Sequence, residues 1–232
     1  CTKPGLLFVP GGQTEAVREV VTGALAGFAP ARLLSDRLHE GFSNAVRSLQ
    51  SGAGVDVLVE GDFAETPAPT LLHTTSAAVR QEPSILRQEM FGPASVLVEY
   101  NDESELPALA QLLEGQLTTT LQAEPDDDVA ELAARLTDIS GRVLWNGWPT
   151  GVTVSYAQHH GGPYPATTSA TTSVGTAAIR RFLRPVAYQS FPEGQLPEPL
   201  RDANPWKVPQ RIDGTWQLPA AAERAGQSEQ QP

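Results

Sequence analysis

Residues 89–100 read Glu-Met-Phe-Gly-Pro-Ala-Ser-Val-Leu-Val-Glu-Tyr. The second part of this run, residues 94–100, is apolar and rich in valine, which predicts a buried strand. The Gly-Pro pair just before it predicts a turn that opens the strand. An acidic residue, Glu89, and an aromatic residue, Phe91, therefore stand beside a turn at the start of a core element.

Apolar periodicity around this run alternates between the strand and helix patterns. The predicted strands are residues 6–9, 55–60, 70–74, 94–100, 117–122 and 141–146. The predicted helices are residues 14–28, 36–50 with Asp36 as cap, 103–113 and 126–137, with a helical turn at 83–90. Strands alternating with helices predict an α/β fold with a parallel βαβ sheet and right-handed crossovers.

The amino-acid composition changes after residue 146. Residues 147–176 are rich in Gly, Pro, Thr and Ser, and a long irregular stretch in a compact domain is usually functional. A short helix at 174–181 and a strand at 182–189 are predicted next, followed by a Pro-rich extension. We therefore predict a domain at 1–181, a strand with an irregular extension at 182–213, and a disordered tail at 214–232.

Composition excludes several classes of function. The 232 residues carry a net charge of −11 with only 16 Lys and Arg, which disfavours nucleic acid and anionic membrane surfaces. No apolar run approaches the roughly 20 residues that a membrane span needs. Because there is one cysteine, no internal disulfide can form, which favours a reducing, cytoplasmic location.

The single cysteine, Cys1, is a candidate nucleophile. A thiolate adds readily to a carbonyl carbon, and the nearby Lys3 can lower the thiol pKa. A lone cysteine is more often an inert buried residue, so Cys1 by itself is weak evidence.

Two further groups can bind a ligand. The Glu89 carboxylate can accept hydrogen bonds from ribose hydroxyls, and Phe91 can lie against a planar ring. Residues 146–151 end a predicted parallel strand, where ligands commonly bind. His159 and His160 follow, but adjacent histidines rarely point the same way, so we predict no metal and favour a polar substrate pocket or a plain loop.

The combination of residues 1–5 (Cys-Thr-Lys-Pro-Gly), 89–93 and 146–151 resembles the catalytic domain of aldehyde dehydrogenases. Residues 159–168, 172–179 and 181–185 resemble the NADP-type branch, which includes α-ketoglutarate-semialdehyde dehydrogenases. The resemblance covers residues 1 to about 213.

This resemblance implies a role for each matching residue. Cys1 matches the nucleophile that forms a thiohemiacetal and then a thioester, Glu89 the residue that holds the nicotinamide ribose, and Phe91 the residue beside the nicotinamide. The resemblance also implies NADP or NAD as cofactor, with NADP preferred, no metal, and a homo-oligomer associating through residues 182–189. The aldehyde entrance would be lined by residues within 148–165, for which we name Trp148, Thr150, His159, His160 and Tyr164.

Several parts of the family pattern are absent from the chain. These are the amino-terminal cofactor-binding domain with its Gly motif, the general-base Glu and the Asn that helps bind the oxyanion. We therefore expect the carboxy-terminal portion of an NAD(P)-dependent aldehyde dehydrogenase, inactive alone, with α-ketoglutarate semialdehyde as a candidate substrate. Two alternatives stay open: a hydrolase with an amino-terminal Cys1 nucleophile, which amidase activity would reveal, and a non-catalytic association module, which would co-purify with dehydrogenase subunits without turnover.

Overall fold

The computed structural model describes residues 3–25, 27–149 and 151–219, and it separates into two compact units, residues 1–183 and 184–232. The helices and strands of the first unit are β1 (Leu6–Pro10), α1 (Thr14–Leu25), α2 (Asp36–Gln50), β2 (Val55–Val59), β3 (Thr70–Thr75), α3 (Ser76–Gln81), α4 (Ser84–Arg87), β4 (Ala94–Tyr100), α5 (Leu106–Ala110), β5 (Thr119–Leu121), α6 (Ala130–Ile139) and β6 (Val143–Trp145). The described residues of this unit also form 3₁₀ helices at Glu103–Glu105 and Thr176–Phe182.

The main sheet has the strand order β1-β4-β3-β2. Strand β4 runs parallel to both β1 and β3, while β2 is antiparallel to β3. Val96, Leu97 and Val98 of β4 are almost fully buried, as expected for a central parallel strand that is covered on both faces. A second, two-stranded sheet pairs β5 with β6 in parallel. The predicted α/β fold with a mostly parallel sheet is confirmed.

Helix α2 supplies a large part of the core. Its apolar residues recur at helical spacing, and Phe42, Val46 and Leu49 are buried. The helix is capped by Ser35, whose hydroxyl accepts a hydrogen bond from the backbone N–H of Leu38 at 3.3 Å. The cap therefore lies one residue before the predicted Asp36.

Some element boundaries differ from the sequence-based prediction. Helix α6 begins at Ala130 rather than 126, because the carboxylate of Asp127 accepts the N–H of Glu124 at 2.8 Å and forms a turn there. The helix predicted at 103–113 divides into a 3₁₀ turn and α5, with Pro107 in the first turn of α5.

The strand predicted at 182–189 is not formed. The 3₁₀ helix continues to Phe182, and residues 183–189 have no regular structure. Pro185 cannot donate to a strand ladder, and no strand of the described residues pairs with this segment.

The second unit contains short 3₁₀ turns, Glu193–Gln195 and Glu198–Leu200, and a β-hairpin. Its strands are β7 (Gln210–Ile212) and β8 (Thr215–Gln217), joined by Asp213 and Gly214, which both have positive φ. An Asp-Gly pair favours this two-residue turn. We predicted disorder from residue 214, but residues 215–217 form a strand; residues 220–232 lie outside the described part.

Among the helices of the described residues, none combines the length and the apolar character needed to cross a membrane.

Asn146 fixes the point where β6 passes into the long loop. Its side-chain oxygen accepts the N–H of Ala123, and its side-chain nitrogen donates to the carbonyl of Ala123, both at 2.8 Å. Its backbone N–H donates to Leu121, also at 2.8 Å. With φ of 48°, Asn146 adopts a left-handed conformation that Asn tolerates better than most residues. The start of the loop is thereby tied to the end of β5.

Gly92 allows the turn before β4 to lie against α2. A Cβ atom at this position would come within 2.5 Å of Cδ2 of Phe42, whose side chain is buried. The Phe42 ring sits in the core and has little room to move, so only a glycine fits without rearrangement.

We expect Gly92→Ala to lower the free energy of unfolding by about 1–3 kcal/mol, through overpacking against the Phe42 ring. The control is Gly41→Ala in α2, where an added Cβ meets nothing within 4 Å and should stabilise the helix by about 0.5–1 kcal/mol. Urea unfolding of both variants measures the difference. Equal midpoints for the two would contradict the close approach.

We expect Asn146→Ala to cost about 2–4 kcal/mol, because it removes both hydrogen bonds to Ala123 and places a Cβ residue in the left-handed region. Asn146→Gly keeps the backbone conformation and should cost roughly 1 kcal/mol less. Thermal or urea unfolding of the pair separates the two contributions. Wild-type stability in both variants would show that the link to Ala123 is dispensable.

Candidate functional site

The amino ends of β1 and β4 lie side by side, and they bring two of the predicted motifs to one edge of the sheet. The Ser95 hydroxyl donates to the carbonyl of Pro4 at 2.7 Å, and the N–H of Val96 donates to the carbonyl of Gly5 at 2.9 Å. The ammonium of Lys3 donates to the carbonyl of Ala94. Residues 3–5 therefore run along the first residues of β4, next to the turn at 89–93. Cys1 lies outside the described residues.

The turn itself presents Glu89 and Phe91 to solvent. Met90 between them is buried, and alternation of this kind places its two neighbours on the outer side. The turn is fixed by backbone hydrogen bonds of 2.8–2.9 Å, from Gly92 to Met90, from Ala94 to Gly92, and from Thr70 to Pro93. Phe91 is 50% exposed, which leaves part of its apolar side chain available to a partner.

The Glu89 carboxylate makes no hydrogen bond and no ion pair with any described residue. A fixed turn thus carries a charged acceptor whose lone pairs are not used by the rest of the described chain. Such a carboxylate can accept hydrogen bonds from the hydroxyls of a ligand.

Lys3 contributes a positive charge close to this carboxylate. Lys3 is exposed as a whole residue, but its ammonium end lies among protein atoms beside Ala94, and this local burial lowers its pKa. The negative charge of Glu89 acts in the opposite direction and partly restores the pKa. The two charged groups are thus near enough to influence each other.

The loop after Asn146 forms a second, separate group of predicted site residues. It packs closely onto the β5–β6 sheet through glycines: a Cβ on Gly141 would lie 1.8 Å from the carbonyl oxygen of Gly161, and one on Gly162 would lie 2.3 Å from that of Gln116. Trp148 near the start of the loop is 64% exposed. Thr150 lies outside the described residues.

The two adjacent histidines have different surroundings. His160 is held through its backbone: its N–H donates to the Thr172 hydroxyl at 2.8 Å, and its carbonyl accepts the N–H of Ser173 at 2.9 Å. His159 instead lines an open depression together with Tyr164 and several hydroxyl-bearing residues. The lining residues are Ser140, Gly141, His159, Gly162, Pro163, Tyr164, Thr167, Thr168, Ser169 and Ala170.

The structure therefore divides the predicted site residues into two groups. Glu89 and Phe91 lie with Lys3 at the amino edge of β1 and β4, and His159 and Tyr164 meet in the depression. Glu89, Phe91, Trp148 and His160 are not among the residues that line it.

One polar cluster was missed in the sequence, where His73 looked like an ordinary strand or surface residue. Its Nε2 lies 3.3 Å from a carboxylate oxygen of Glu99, and its Nδ1 lies 3.9 Å from a carboxylate oxygen of Asp56. Glu99 also accepts hydrogen bonds from the Thr14 hydroxyl and the backbone N–H of Gly12. The pKa of Glu99 is lowered, chiefly by the hydrogen bond from Thr14 and to a smaller extent by Gly12 and His73. Asp56, His73 and Glu99 interrupt the apolar residues of three predicted strands, and this pattern is the sequence signal that could have revealed the cluster.

The cluster anchors the start of α1, a helix with no buried residue, onto the sheet. Within the part of the chain that the structure describes, no group of three or more His, Cys, Asp or Glu side chains is arranged to hold a metal ion.

Curated proteins and solved structures resemble this chain, whereas family models do not. No family model matches the sequence. The chain is 41% identical over 223 residues to alpha-ketoglutaric semialdehyde dehydrogenase 2 of Azospirillum brasilense, a match that covers 92% of this chain and 42% of the relative. It is 37% identical to alpha-ketoglutaric semialdehyde dehydrogenase of Acinetobacter baylyi, with the same coverage. The chain thus spans less than half the length of these curated relatives.

A solved structure supports the fold. The NAD+ complex of aldehyde dehydrogenase from Bacillus cereus superposes with a TM-score of 0.60 at 18% identity, covering 75% of this chain and 36% of that one. At this identity the likeness concerns the fold alone, and it agrees with the family of the two curated relatives. Over most of its own length, the chain is thus similar to the carboxy-terminal or internal part of aldehyde dehydrogenases that are more than twice as long.

Proposed function

We propose that this chain is the carboxy-terminal, nucleophile-bearing portion of an NAD(P)-dependent aldehyde dehydrogenase, which oxidises an aldehyde to a carboxylate. The observation that carries the proposal is the parallel pairing of β1 with β4, because it brings the segment that follows Cys1 beside the turn that carries Glu89 and Phe91. The similarity to two curated aldehyde dehydrogenases adds independent support.

Cys1 is proposed as the nucleophile. Its thiolate adds to the aldehyde carbon, and the carbonyl electrons move to oxygen to give a thiohemiacetal. Loss of the aldehyde hydrogen as a hydride then leaves a thioester on the sulfur. Water adds to the thioester carbonyl and expels the thiolate, which gives the carboxylate and restores Cys1. A reducing compartment such as the cytoplasm would keep this thiol reactive.

Glu89 and Phe91 fit the nicotinamide end of a dinucleotide. The Glu89 carboxylate has acceptor capacity that the described residues do not use, which suits the donor hydroxyls of a ribose. The half-exposed Phe91 ring offers an apolar surface for a planar group. When bound, the dinucleotide would supply the hydride acceptor. We propose NADP in preference to NAD, because residues 159–168, 172–179 and 181–185 resemble the NADP-type branch.

We further propose α-ketoglutarate semialdehyde as the substrate, since both curated relatives carry that name. The proposed aldehyde entrance is formed by Trp148, Thr150, His159, His160 and Tyr164. His159 and Tyr164 share a depression rich in hydroxyl groups, which suits a polar substrate that carries a carboxylate. Because His160 is bound through its backbone, we propose that it shapes the loop.

The proposed partners are an amino-terminal cofactor-binding domain and further copies of the full-length chain. The greater length of the relatives supports the first of these. The alternative of an amino-terminal-cysteine hydrolase fits less well, because that class resembles layered antiparallel sheets and the main sheet here is mostly parallel.

The test uses the full-length protein. We expect Cys1→Ala to abolish aldehyde oxidation while the Kd for NADP+ changes by less than about twofold, because only the sulfur forms the covalent intermediate. We expect Glu89→Gln to raise that Kd by about five- to tenfold, since a charged acceptor is replaced by a neutral one of the same shape.

Glu131→Gln on α6 is the matched control and should change neither quantity, because this exposed carboxylate lies on a different element. Substantial turnover in Cys1→Ala would remove Cys1 from the mechanism. An unchanged Kd in Glu89→Gln would remove Glu89 from the cofactor site.

A further inference from the structure

Lys3 lies beside the end of the turn that carries Glu89 and Phe91. The chain contains only two lysines, Lys3 and Lys207. Lys3 follows Cys1 by two positions, and its ammonium donates to the carbonyl of Ala94, the residue that follows the 89–93 turn. Ala94 is buried, so this bond fixes the lysine against a rigid part of the sheet.

The backbone on both sides of this contact is also held. Pro4 and Gly5 accept hydrogen bonds from Ser95 and Val96, so residues 3–5 cannot shift along β4 without breaking them. Lys3 is thereby a positive charge of nearly fixed position, unlike a lysine on a mobile surface segment.

This charge acts on Glu89 without binding it directly. Each group influences the other electrostatically, yet no nitrogen–oxygen distance between them falls within the 4 Å of an ion pair among the described residues. The carboxylate therefore experiences attraction toward Lys3 while its lone pairs stay open to a ligand. A flexible glutamate loses side-chain entropy when a ligand fixes it, and a charge that already restricts it reduces that loss.

We propose that Lys3 is a positioning residue for Glu89: anchored on Ala94, it orients the Glu89 carboxylate toward the nicotinamide ribose of the cofactor. The inference rests on the proposed function and goes beyond it, because it assigns a residue that acts through Glu89. Lys3 itself does not touch the cofactor.

The consequence is energetic coupling between Lys3 and Glu89. If Lys3 acts through the carboxylate, removing the lysine charge matters only while that carboxylate is present. If Lys3 only stabilises the turn, or contacts the cofactor directly, its removal costs the same with or without the Glu89 charge.

A double-mutant cycle on the full-length protein tests this, with the Kd for NADP+ measured by calorimetry. We expect Lys3→Met to raise the Kd about fivefold alone, and less than about twofold when added to Glu89→Gln. Lys3→Arg, which keeps the charge, should stay within about twofold of wild type. Lys207→Met, the change of the other lysine, should leave the Kd unchanged.

The Kd values of these variants distinguish a positioning role of Lys3 from the alternatives. An equal effect of Lys3→Met in both Glu89 backgrounds overturns the positioning role, and so does a wild-type Kd in Lys3→Met. If Lys3→Met folds poorly, Lys3→Gln keeps a donor for Ala94, removes the charge and is expected to give the same fivefold rise; a wild-type Kd there overturns the proposal as well. A raised Kd in Glu89→Gln but not in Lys3→Met refutes only the positioning role of Lys3. An unchanged Kd in both variants refutes the proposed cofactor-binding role of Glu89.

Discussion

The parallel pairing of β1 with β4 fixes the edge of the main sheet at which the proposed site lies. Leu6 to Pro10 align one for one with Val96 to Tyr100. Parallel strands place their amino ends at the same edge, so residues far apart in sequence become neighbours there. Without this register, the segment that follows Cys1 would have no defined relation to Glu89. The pairing is stabilised by the burial of β4, which is covered on both faces.

The second part of the site depends on close backbone packing. The described residues of the loop from Asn146 onward form no regular structure up to the 3₁₀ helix at Thr176–Phe182. The loop is nevertheless held by Asn146, by hydroxyl-to-backbone bonds such as that of Thr172, and by glycines that touch the β5–β6 sheet. Irregular backbone must satisfy its polar groups individually, which explains the abundance of Thr and Ser in this stretch. A rigid polar loop can line an entrance without the entropy loss of a mobile one.

Much of the fold was accessible from the sequence because its signals are local. The apolar run of β4 and the helical spacing of α2 predict their own structure, and the alternation around them predicts a parallel sheet. The prediction failed where secondary structure depends on a contact with a distant part of the chain. Residues 183–189 contain apolar side chains, but a strand forms only when a neighbouring strand pairs with it. The Asp213-Gly214 hairpin was a local signal that the prediction overlooked.

The arrangement of the candidate site residues could be predicted only in part. The exposure of Glu89 and Phe91 agrees with a binding role, whereas sequence alone could not show that His159 lines a depression and His160 is held through its backbone. Nor could it show that Lys3 contacts Ala94, or that His73 lies between two carboxylates, since both depend on strand register.

The most direct test of the central claim is a crystal structure of the full-length protein with NADP+ bound. We expect a Glu89 carboxylate oxygen within about 3.2 Å of a nicotinamide ribose hydroxyl, and Cys1 Sγ facing the same nicotinamide from the neighbouring strand end. A ribose held by other residues, or a Cys1 thiol on the opposite face of the sheet from Glu89, would contradict it.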